Sequence, residues 1–111
     1  MATSEFTKAE KKALRELAEA IYEAEAHVML EELDASFSEW REGEMLSSEL
    51  LAAIHEFHQN ESRDLWSKYQ ALKEDEIVAR GLALGLVSKE LPEQLQAKLE
   101  PLIEFFARHQ R

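Results

Sequence analysis

The sequence predicts an all-α fold: an antiparallel up-down bundle of about four helices with a long first helix. Composition is the first observation. The 111 residues include only three Gly and two Pro, and Ala, Leu, Glu and Lys dominate, as in helical chains. The second is periodicity, with apolar residues recurring three and four apart through most of the chain. The third is the placement of breakers, which leaves connections so short that consecutive helices pack antiparallel. The chain is read as a single domain, 1–111, long enough to bury a core without disulfide or metal.

The first helix is expected over about 7–42. Thr7 and Glu10 have capping-box spacing before an apolar-periodic run. Gly43 supplies a left-handed stop. Roughly 35 residues at about 1.5 Å each make a rod of about 52 Å. Its apolar stripe changes direction. Leu14, Leu17, Ile21, Ala24 and Val28 follow one seam. Ala26, Leu30, Leu33, Phe37 and Trp40 follow another, turned by roughly 100–150° on a helical wheel. The two halves therefore face different neighbours.

The second helix spans about 48–58, capped by Ser47, with Leu50, Ile54 and Phe57 as its apolar face. Asn60 is read as the next N-cap, with Glu61 and Asp64 suited to a first turn. The third helix then covers about 61–86, on a heptad seam of Leu65, Tyr69, Leu72, Glu76, Ala79, Ala83 and Leu86. Trp66, Ile77 and Leu84 form a second, weaker face. Gly81 and Gly85 weaken the end of this helix by up to about 1 kcal/mol each. Pro92 fits the first position of a fourth helix over about 92–109. Leu95, Leu99, Leu102 and Phe106 are its core stripe, and Pro101 is expected to kink or restart it.

Several function classes fit poorly. No cysteine is present, so there is no disulfide framework, zinc thiolate site or thiol nucleophile. The N-terminus does not read as a secretory signal, and no apolar run approaches the ~20 residues of a membrane span. A cytoplasmic location is expected. Residues 16–62 hold thirteen acids and one base, Arg41, in a chain of net charge −10. Such a surface repels phosphate backbones and anionic lipid, so neither nucleic acid nor membrane is an expected partner. There is no phosphate loop, nucleophile elbow or local Ser-His-Asp signature. A helix–turn–helix reading fails because its recognition helix would begin Glu61-Ser-Arg63-Asp64.

Two carboxylates fall on seams: Glu25 in the first helix and Glu76 in the third. A buried carboxylate needs a partner, a raised pKa or water, and His58, Arg63 and Arg80 are the candidate partners. His55 and His58 lie three apart, on one side of the second helix. With Glu25 and Glu76 they could form a divalent-metal or enzymatic site in a bundle core. The chain has no Glu-x-x-His, which di-iron bundles require, and the two histidines are not at the four-residue spacing of zinc proteases. Core-edge histidines and a structural polar pair are the favoured reading, with no catalytic residue and no cofactor assigned. His27 and His109 are set aside, on a polar face and near a fraying end. Arg63 is expected to anchor the corner between the second and third helices by pairing with an acid such as Glu56. An off-seam Trp66 beside Ile77 and Leu84 suggests a second contact surface, since Trp is enriched at interfaces.

Trp40-Arg41-x-Gly43-Glu44, Glu49-Leu50, Ile54-His55-Glu56-Phe57-His58-Gln59, Arg63-Asp64-Leu65-Trp66 and Tyr69 carry a resemblance. Over roughly residues 36–87 the chain resembles a family of small bacterial proteins of unknown function. In that pattern a Ser-Pro starts the second helix and a Gly-Pro separates it from the third. Here Ser47-Ser48 and Asn60-Glu61 stand in those places. The resemblance implies a bacterial cytoplasmic origin and no activity.

The expected function is therefore a non-catalytic helical module acting through a protein partner or itself as a homodimer, by way of Trp66, Ile77, Leu84 and Arg63. The metal or enzymatic site of His55, His58, Glu25 and Glu76 is the alternative. A regulator whose acidic stretch neutralises a basic partner is the second.

Overall fold

The computed structural model describes residues 6–88 and 90–109; the stretch 1–5, part of the segment read for a signal, lies outside them. The fold is all-α. Its helices are α1 (Lys8–Arg41), α2 (Ser47–Glu56), a π-helical stretch (Phe57–Ser62), α3 (Arg63–Ala71), α4 (Glu74–Leu84) and α5 (Glu93–Arg108). No strand occurs among the described residues. No helix is long and apolar enough to cross a membrane among them.

The chain read as one domain resolves into two compact units. Unit one is Met1–Ala24 with Leu72–Arg111, and unit two is Glu25–Ala71. The boundary falls inside α1, where its apolar stripe changes direction.

Unit one is built from the first half of α1 with α4 and α5. Thr7 and Glu10 form the expected capping box: the Glu10 N–H donates to Thr7 Oγ1 (3.1 Å) and the Thr7 N–H to Glu10 Oε1 (2.9 Å). Leu14, Leu17, Ala18 and Ile21 of α1, Ile77, Val78 and Ala79 of α4, and Leu95 and Leu99 of α5 are its buried apolar residues. Gly81 lets α4 approach α1. A Cβ at that position would lie 2.5–2.8 Å from three side-chain atoms of Ile21. Gly81 is thus a packing residue, where the sequence suggested only a weakened helix end. Gly85, with φ +75°, ends α4. The Leu86 N–H reaches the Gly81 carbonyl (2.9 Å) and the Gly85 N–H that of Leu82 (3.2 Å), the bond pair of a Schellman motif. In α5, Pro92 is the N-cap rather than the first helical residue. The helix does not restart at Pro101, which sits inside one α-helix.

Unit two pairs the second half of α1 with a single helical run from Ser47 to Ala71. Gly43 (φ +82°) is the expected stop for α1. The Glu44 N–H bonds the Glu39 carbonyl (2.8 Å) and the Gly43 N–H that of Trp40 (3.1 Å), again a Schellman pair. The two helices run antiparallel. Near the turn, Trp40 Nε1 donates to Ser47 Oγ (2.9 Å), and at the far end Tyr69 reaches Glu25.

The second and third helices differ most from expectation. Asn60 does not start a new helix, because α2 continues through the π-helical stretch into α3. The cause is spacing. Leu50, Ile54 and Phe57 follow steps of four and three, and so do Leu65, Tyr69 and Leu72. The step from Phe57 to Leu65 is eight, one more than a heptad. A π turn absorbs one extra residue and keeps Leu65 and Tyr69 on the seam of Leu50, Ile54 and Phe57, while Leu72 lies beyond the end of α3. Ser47 is likewise not the cap. Leu46 holds that position, its N–H donating to Glu49 Oε1 (2.8 Å). The expected third helix, 61–86, breaks instead at Leu72 and Lys73, where Lys73 is extended (φ −80°, ψ 163°) and its N–H donates to Glu76 Oε1 (2.8 Å). Glu74, Asp75 and Glu76 fill the first turn of α4, where the helix dipole favours anions.

Candidate functional site

Of the candidates read in the sequence, Glu76 falls in unit one and Glu25, His55 and His58 in unit two. Glu25 is engaged within unit two: Tyr69 Oη donates to its Oε1 (2.6 Å), and Lys68 Nζ lies 3.6 Å from its Oε2. The side chain is 18% exposed, so a hydroxyl and an ammonium compensate a carboxylate mostly removed from water. Tyr69 and Lys68 are consecutive residues of α3, and neither was among the partners expected from the sequence. Sequence spacing could not reveal them, because they depend on the height at which the two antiparallel helices meet. Glu76 belongs to unit one. Its carboxylate accepts the Lys73 N–H, so it is a capping side chain and not a core-seam acid.

His55 and His58 are both exposed. They line different open depressions. His55 borders one with Glu49, Ala52, Ala53, Glu56, Gln59 and Asn60. His58 borders another with Gln59, Ser62, Arg63 and Trp66. Among the described residues, no three or more His, Asp or Glu side chains are gathered so as to hold a metal ion.

The expected interaction face also divides. Ile77 is buried in unit one and Leu84 is exposed there, whereas Trp66 and Arg63 belong to unit two. The break at Leu72–Lys73 ends the single helix that would have aligned them. Arg63 does not anchor a corner by pairing with Glu56, because no corner exists at that place. Its side chain makes no ion pair or hydrogen bond among the described residues.

What unit two does present is uncovered apolar surface. Among its described residues only Leu50 and Leu65 are buried apolar side chains. Val28, Leu30, Trp40, Leu46, Leu51 and Trp66 are exposed, Leu51 by 67% and Trp66 by 59%. The reason is geometric. A helix in a two-helix hairpin can cover one stripe, yet α1 beyond Glu25 and the run from Ser47 carry apolar residues on wider arcs. Phe57 and Tyr69 sit half-buried between the helices, and Trp66 falls one position off the seam. The off-seam Trp was legible in the sequence.

In comparisons with protein-family models, curated proteins and solved structures, nothing matches the chain.

Proposed function

We propose that this protein is a non-catalytic interaction module whose hairpin, unit two, binds another protein surface. The observation that carries the reading is the exposure of six large apolar side chains on a unit with two buried ones. So many exposed large apolar side chains on a small unit favour a contact site, and an exposed Trp among them fits the usual composition of such sites. The acidic balance of residues 16–62 favours a protein over nucleic acid or anionic membrane as the partner. A bacterial cytoplasmic setting, implied by the resemblance of residues 36–87, belongs to the same proposal.

The test is a photo-reactive amino acid placed at position 66 and, separately, at Glu39, followed by irradiation in lysate. Cross-links to protein from position 66, in excess of those from position 39, are expected. Equal or absent cross-linking at both positions would overturn the reading.

A further inference from the structure

We draw no further inference here: the strongest candidate, the exposed apolar face of Leu51 and Trp66 on the Ser47–Ala71 helical run of unit two with the open depression beside Arg63, belongs to the contact surface already described, and nothing in the structure shows what covers it.

Discussion

At position 81 the packing and the intrinsic helix preference oppose each other. Alanine is favoured over glycine in a helix by about 1 kcal/mol, yet its Cβ would fall 2.5 Å from Ile21 Cδ1. Ile21 is fully buried and branched at Cβ, with little room to turn aside. Overpacking should win, so Gly81→Ala should lower stability by about 1–3 kcal/mol in urea unfolding. Ile21→Val in the same chain should recover part of that loss, and a strictly additive double-mutant cycle would contradict the account. Glu25 gives a second residue-scale expectation. Tyr69→Phe leaves the ring in place and removes the hydroxyl that donates to the carboxylate. A cost of about 1–2 kcal/mol is expected, because Lys68 remains 3.6 Å away to moderate the loss. No measurable change in the unfolding midpoint would mean that water replaces the hydroxyl without cost.

The ends of the helices are where local sequence and observed elements agree best. The Thr7–Glu10 box and Gly43 mark the start and stop of α1 to within a residue or two, since both act through local backbone groups. Gly43 and Gly85 stand at positive φ with open space at the Cβ position. Alanine at either should therefore cost about 1 kcal/mol from backbone conformation alone, read as a lower melting temperature. The missed boundaries have physical causes. The eight-residue step from Phe57 to Leu65 looks like a break when a heptad is assumed, and the cap-like Asn60 reinforces that reading. The break at Leu72–Lys73 was hidden because Glu76 fits both a heptad seam and a capping position. Only packing of Ile77, Val78 and Ala79 in unit one separates the two possibilities.

The α1–α5 link between Glu10 and Lys98 is sensitive to pH. Lys98 Nζ bonds Glu10 Oε1 at 2.7 Å, and this bond, followed by the Thr7 N–H, holds the Glu10 carboxyl below its ordinary value. A carboxyl with a lowered folded-state pKa adds stability above its unfolded-state pKa. That contribution is lost as pH falls through the folded value. Lys98→Met should flatten the acid limb of a stability–pH profile measured by urea unfolding. An unchanged profile would show that the ion pair contributes nothing there.

At the scale of the whole molecule, the fold class and the direction change along α1 were legible in the sequence, because composition and stripe phase depend on no distant contact. The candidate site was not. His55, His58, Glu25 and Glu76 share suggestive residue types, but bringing them together required knowing which helices meet and at what height. The structure instead engages Glu25 through Tyr69 and Lys68, uses Glu76 as a cap, and leaves the two histidines on separate surface depressions. Trp66, singled out for lying off the seam, remains the most informative residue. It lines a depression with Arg63 and His58. The central claim is that this face is a contact surface for another protein. It is tested most directly by the photo-reactive residue at position 66 set against the one at position 39. The account predicts protein cross-links from position 66 in excess of those from position 39. Equal cross-linking at both positions would contradict it.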